Sequence, residues 1–289
     1  MRWAIRRLLT VLAVIASPVL WACDVETLVA VPESERVTTT HLLKVRACLA
    51  SPDPAVRDEF AYTRFVEVLR SGKVSSDTLE TLLADFVFRL SVPERGGDGF
   101  EKPFLVLVLA EFARVDRVSP YLNDKRRDLL VGAAWRYLRG VTDYRGFADG
   151  EGWRHGIAHG ADLAMQLALN PKLTAEQGAQ LLTAIAVQVA PASGHSYVFN
   201  EPGRLARPVF FLAINDRVST EALDTFFAAL GSDAKQPRWQ SPYGSEAGLA
   251  ALHNTRAFAQ ALYVYTTTSP SENAPALQAR VEALLRALP

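Results

Sequence analysis

The sequence has little of what usually points to a defined chemistry. It contains two cysteines, two methionines and five histidines in 289 residues, and its 31 basic residues are balanced by 31 acidic ones. Long runs of like charge are also missing, so the chain lacks the positive surface by which proteins bind nucleic acid. We therefore expect no DNA or RNA partner.

Motifs for nucleophilic or phosphate chemistry are missing as well. The sequence has neither a glycine-rich phosphate loop nor a serine inside a nucleophile-elbow motif. Ser193, His195 and Ser196 lie close together in the chain, but adjacency within a loop does not orient a base toward a hydroxyl group. We therefore do not expect a hydrolase triad.

The first 22 residues are typical of a secretory signal peptide. Arg2, Arg6 and Arg7 form a basic segment, and residues 8–16 form an apolar one. A membrane-spanning helix needs roughly 20 apolar residues, which is more than this segment provides. We expect residues 1–22 to direct export to the periplasm or beyond.

Two kinds of processing compete at the junction of Ala22 and Cys23, where this leader ends. Residues 20–23 resemble a lipobox, in which Cys23 carries a lipid, whereas the ordinary signal peptidase would cleave after Ala22. In an oxidising compartment Cys23 and Cys48 could instead form a disulfide, which lipidation would exclude. The sequence does not decide between lipidation of Cys23, a disulfide and free thiols. We expect membrane contact only through the leader or a lipid on Cys23.

The remainder of the chain has the apolar spacing of helices and no convincing strand alternation. Helices are predicted to start near residues 54, 76, 100, 121, 152, 174, 201, 220, 246 and 271. The first helices of successive pairs are 46, 52, 49 and 45 residues apart, close to the period of HEAT-like α-solenoids. The sequence predicts one all-α domain over residues 23–289, a HEAT-like α-α superhelix of about five antiparallel helix pairs.

Residues 143–162 contain the strongest candidate for a functional site. His155, His159 and Asp162 are spaced so that they share one face of a helix. Two histidines four residues apart fit the helix of a zinc protease, but Gly156 stands where that enzyme needs a glutamate as general base. We therefore exclude a standard zinc protease.

Two roles of this face are compatible with the sequence. In the first, Asp162 accepts a hydrogen bond from His159, while His155 and Trp153 tie the glycine-rich insertion to the helix. In the second, His155, His159 and Asp162, or these residues with Glu201, bind a divalent metal such as zinc or iron. We expect no obligate cofactor, with the metal site as the alternative.

A third interpretation is a ligand pocket without a metal. In it, Arg145 or Arg204 binds a carboxylate or a phosphate, although the simplest role of Arg204 is a salt bridge to a neighbouring repeat. The residues expected to form this polar pocket are Arg145, Trp153, His155, His159, Asp162, Glu201 and Arg204. The predicted function is a binding or scaffold module for an unknown protein or small molecule; the alternative is a metal-dependent, hydrolase-like enzyme that uses His155, His159 and Asp162.

Several stretches resemble, in order, the bacterial family called domain of unknown function 2785. They are residues 49–61, 145–147, 152–163, 201–206 and 253–255. The resemblance implies an all-helical, HEAT-like fold, which agrees with the repeat period above. It implies no activity, because the activity of the family is unknown.

The leader predicts that the mature protein begins at Cys23. Mass spectrometry of protein from the native host is expected to show loss of residues 1–22. An added diacylglyceryl mass on Cys23 would identify a lipoprotein, and an intact, unmodified N-terminus would contradict the prediction of export.

Overall fold

A computed structural model describes residues 23–94, 98–231, 239 and 241–289. The predicted leader, residues 1–22, lies outside the described residues. Helices α1 to α12 are Val25–Val29, Thr39–Cys48, Thr63–Arg70, Ser76–Ser91, Glu101–Val118, Asp124–Gly140, Gly156–Ala168, Ala175–Val189, Glu201–Ile214, Thr220–Leu230, Glu246–Thr268 and Ala274–Ala287.

Shorter elements complete the described chain. A π-helical segment, Ala55–Tyr62, leads directly into α3, and 3-10 turns occupy Glu33–Glu35 and Pro242–Gly244. Strands β1, Phe147–Ala148, and β2, Gly152–Trp153, pair as an antiparallel hairpin between α6 and α7. Helix thus dominates the described residues, and the predicted all-α class is confirmed.

Polar caps explain where most of these helices begin. The side chain before the helix accepts a hydrogen bond from a backbone N–H in the first turn, which satisfies a donor that has no partner within the helix. The capping residues of α2, α4, α6, α8, α10 and α11 are Thr38, Ser75, Asn123, Thr174, Ser219 and Ser245.

The helices stack as five antiparallel pairs. The first helices contact one another in the order α3, α5, α7, α9, α11, and the second helices in the order α4, α6, α8, α10, α12. The first helices begin near residues 55, 101, 156, 201 and 246, counting the π-helical segment with α3. These two parallel stacks confirm the predicted HEAT-like superhelix.

Apolar contacts run through the whole stack. One cluster of buried side chains extends from Leu28 to Leu288. Within it, the rings of Phe65 and Phe86 lie 5.3 Å apart, and those of Phe86 and Phe112 lie 5.7 Å apart. Since these rings belong to α3, α4 and α5, they join neighbouring pairs as well as partners within one pair.

Three predicted helix starts lie too early in the chain: those near residues 121 and 271 by three residues, and the one near residue 152 by four. The helix expected near Gly152 begins at Gly156, because Gly152 pairs with Ala148 in the hairpin. Gly150, Gly152 and His155 have φ values of 79°, 74° and 50°, which an α-helix cannot contain. The first helix of the third pair therefore begins 55 residues after the first helix of the second pair, not 52 as predicted.

The two cysteines lie at the N-terminal end of the described chain. A disulfide joins Cys23 to Cys48, with their Cα atoms 4.9 Å apart, and so ties α1 to the end of α2. In the described ranges, no helix combines the length and the apolar character that crossing a bilayer requires.

Reduction of this disulfide is expected to destabilise the protein. The bond closes a loop with a sequence separation of 25 residues, and a loop of that size is worth about 3 kcal/mol. Urea unfolding of the purified protein should therefore shift to lower denaturant concentration when a reductant is present. The double variant Cys23→Ala with Cys48→Ala should unfold like the reduced protein, and adding reductant should not change its midpoint. A wild-type midpoint that is the same with and without reductant would contradict the bond.

Candidate functional site

Two arginines hold the insertion between α6 and α7. The guanidinium of Arg57, in the π-helical segment, is fully buried, donates to the carbonyl of Glu151 at 2.8 Å and pairs with Asp58 at 2.8 Å. Arg154 pairs with the carboxylate of Glu151 at 2.7 Å. The ring of Phe100 lies 4.0 Å from the Cζ atom of each arginine. Both charges are thus partnered: Arg57 fixes the turn of the hairpin to the first helix pair, and Arg154 fixes the hairpin to the residues before α5.

The hairpin carries a cluster of aromatic rings, which we call the aromatic surface: Phe147, Trp153 and Phe199. The rings of Phe147 and Phe199 meet that of Trp153 edge-on, at 5.1 and 5.7 Å. A side chain at Gly146 would overlap the ring of Phe199, so only glycine allows this approach. Phe147 and Trp153 stay 42% and 38% exposed.

His155 lies beneath this surface, immediately before α7. Its ring stacks on that of Trp153 at 4.6 Å, and its left-handed backbone conformation is uncommon for a residue other than glycine. The Nε2 atom has no hydrogen-bond partner and lies 3.6 Å from a carboxylate oxygen of Glu201. The other oxygen of Glu201 accepts from the backbone N–H of Phe199 at 2.9 Å.

Burial favours the neutral forms of both members of this pair. It lowers the pKa of His155 to about 4, with Arg204 acting in the same direction. It also raises the pKa of Glu201. At neutral pH His155 is therefore an uncharged imidazole, and its contact with Glu201 is not a full ion pair.

His159 and Asp162 each bind a different neighbouring helix. The Nδ1 atom of His159 lies 3.1 Å from the carbonyl of Pro103 in α5, to which it can only donate. Both carboxylate oxygens of Asp162 accept from the guanidinium of Arg204 in α9. The predicted hydrogen bond between His159 and Asp162 is therefore wrong, because the two side chains point toward opposite neighbours of α7.

The other predicted residues have varied surroundings. Glu201 is the first residue of α9, and Arg204 forms a salt bridge to the neighbouring pair, as predicted. Arg145 lies apart and half-exposed, and it pairs with Asp143 at 2.5 Å. Since both arginines already bind carboxylates, neither offers an unoccupied guanidinium to a ligand.

Apart from Arg145, the predicted pocket residues contact one another or a neighbouring helix. A cavity of about 410 Å³ lies between α4, α5 and α6, and none of the seven predicted residues lines it. Among the residues that the structure describes, no group of three or more histidine, cysteine, aspartate or glutamate side chains is arranged to hold a metal ion.

Sequence reasoning missed the residues that fix the hairpin. Arg57, Phe100 and Arg154 meet although 97 positions separate the first from the last. Periodicity reports only neighbours within one helix, so it contains no signal for such a contact. Arg57 and Arg154 do lie in the 49–61 and 152–163 stretches that resemble the family, and these were the available indications.

The chain belongs to a family of proteins of unknown function. Residues 90–264 match the family described as protein of unknown function (DUF2785), which is more than half of the chain. The match includes α5 to α10 and the whole insertion between α6 and α7. A search of curated proteins gives no match.

The buried histidines predict a loss of stability at acidic pH. Burial lowers the pKa of His159 to about 3 and that of His155 to about 4, whereas histidine in an unfolded chain titrates near ~6.5. Below ~6.5 these two histidines bind more protons in the unfolded state than in the folded one, so their contribution to the free energy of unfolding falls as the pH decreases toward 4.

His159→Gln should flatten this dependence by up to about 1.4 kcal/mol per pH unit, because one titrating group is removed. Urea unfolding between pH 7 and pH 5 measures the slope, and His253→Gln, on the exposed side of α11, is the matched control. Equal slopes for His159→Gln and the wild-type protein would show that His159 does not titrate as described.

Proposed function

We propose that this member of the DUF2785 family is an exported binding module that contacts a partner protein through its aromatic surface. The carrying observation is that Phe147 and Trp153 stay exposed although the hairpin below them is held by buried, fully partnered arginines. Exposed aromatic side chains grouped in this way mark interaction sites more often than neutral surface.

The rigid mounting of the aromatic surface supports this proposal. Binding costs less when the contact residues are already ordered, because fewer rotamers and backbone conformations are lost. Trp153 is held from below by His155, and Glu201 holds the loop that carries Phe199 through its backbone N–H. The polar network therefore positions the aromatic surface and leaves the contact itself to the rings.

The position of the hairpin in the helical array also supports the proposal that the aromatic surface binds a partner. Insertions in helical-repeat proteins tend to lie on the face that binds a partner. This hairpin separates the second pair from the third and adds ten residues to a spacing that is otherwise 45 or 46 residues. Its tip also contains the exposed Asp149, so a partner that presents an apolar side chain flanked by a basic one is complementary.

Export is the second part of the proposal. The basic and apolar segments of residues 1–22 support a secretory leader, and the bond between Cys23 and Cys48 fits an oxidising compartment. A partner in the periplasm or at the cell surface follows from this location.

Site-specific photocrosslinking in the native host tests the contact. A photoreactive phenylalanine analogue at position 147 is expected to give one discrete crosslinked product, which Trp153→Ala should abolish. The matched control is the same analogue at Phe88, which is 62% exposed on α4, away from the hairpin. A product of equal yield at position 88, or none at position 147, would contradict the proposed surface.

Metal analysis separates this proposal from the hydrolase alternative. Protein purified without added metal is expected to contain no stoichiometric zinc, iron or manganese. A stoichiometric ion that is lost in both His155→Ala and His159→Ala would favour the enzyme, because each change deletes one predicted ligand.

A further inference from the structure

The cavity between α4, α5 and α6 lies outside the network described above. Its volume is about 410 Å³, within the range of small-molecule sites in proteins. Apolar side chains form much of its wall, namely Val87, Leu90, Pro103, Ala133 and Val141. An apolar ligand body would therefore find a surface from which water is readily displaced.

The charges that line this cavity are unequally partnered. Glu94 accepts a hydrogen bond from the backbone N–H of Glu101 at 2.6 Å, at the start of α5, and Asp143 pairs with Arg145. Lys102 and Arg136 also line the cavity, and neither forms an ion pair with a carboxylate in the described part of the chain. The charge of Lys102 also acts on Glu94, where it opposes the rise in pKa that burial causes, so Arg136 is a cation of this cavity without a carboxylate partner among the described residues.

A buried hydroxyl group adds a second, independent observation. Tyr137 is 7% exposed, and its hydroxyl group is buried without a hydrogen-bond partner. It lies beside Gly156, near Val141 and Pro103, and the Tyr137 side chain lines the cavity together with those two residues. Leaving such a group unpartnered costs stability. A ligand oxygen that accepts a hydrogen bond from it would recover part of that cost.

We propose that this cavity binds a small carboxylate with an apolar body. Lys102 and Arg136 attract the anionic group, and the walls cover the apolar part. The tyrosine hydroxyl donates to an oxygen of the ligand. An amine of the same length lacks the charge that the two cations select, and inorganic phosphate lacks the apolar body. The site is separate from the aromatic surface, so either proposal can fail alone.

Calorimetric titration of the full chain with octanoate tests the site. Octanoate is expected to bind, whereas octylamine and inorganic phosphate at the same concentration are not. Arg136→Ala and Lys102→Ala should each weaken octanoate binding about tenfold, because each removes a charge-assisted contact. Arg136→Lys should retain most of the affinity. Lys125→Ala, which changes an exposed lysine elsewhere on α6, is the matched control and should bind like the wild-type protein.

Tyr137→Phe gives a readout that a purely structural residue would not. Without ligand, this variant should be as stable as the wild-type protein or more so, because an unpartnered buried hydroxyl is removed. It should nevertheless bind octanoate several-fold more weakly. The proposal is overturned if octanoate does not bind at about 10 mM, if octylamine or phosphate binds equally well, or if both cation variants keep the wild-type affinity.

Discussion

Arg57 holds a positive charge where its side chain is fully shielded from solvent, and the insertion depends on it. Such a charge is tolerated only when every donor has a partner. Its guanidinium donates to the carbonyls of Ser51, Pro52 and Glu151, pairs with Asp58, and lies over an aromatic face. These contacts reach a residue 94 positions away, so the hairpin takes its place from the first helix pair. Arg57 lies in the π-helical segment that leads into α3. The wider π geometry is often found at functional positions.

Much of the fold could be predicted because its signals are local. Apolar spacing within single helices and a polar cap before Ser76 or Thr220 are both set by residues close in sequence. The repeat period follows from them and identified the solenoid. The start of α7 could not be found in this way. His155 and His159 have helical spacing, yet the positive φ values before Gly156 come from a hairpin whose register depends on distant partners.

The candidate site shows the same limit at the level of side chains. Spacing indicated that His159 and Asp162 share a helix, but it could not tell which neighbour each side chain meets. One binds Pro103 in the preceding first helix and the other binds Arg204 in the following one. The salt bridge of Arg204 was predictable because a solenoid places every first helix between two others. Phe199, by contrast, reaches the aromatic surface from a loop that carries no periodic pattern.

The bond from Arg57 to Glu151 also has a mechanical meaning. An array joined only through adjacent repeats resembles springs in series, and its bending compliance grows with every unit. This contact adds a direct link from the first pair to the insertion, beside the contacts of the insertion with Asp98 and Phe100, and so stiffens the array at this point. The aromatic surface lies on this stiffened part of the array, where bending displaces it least.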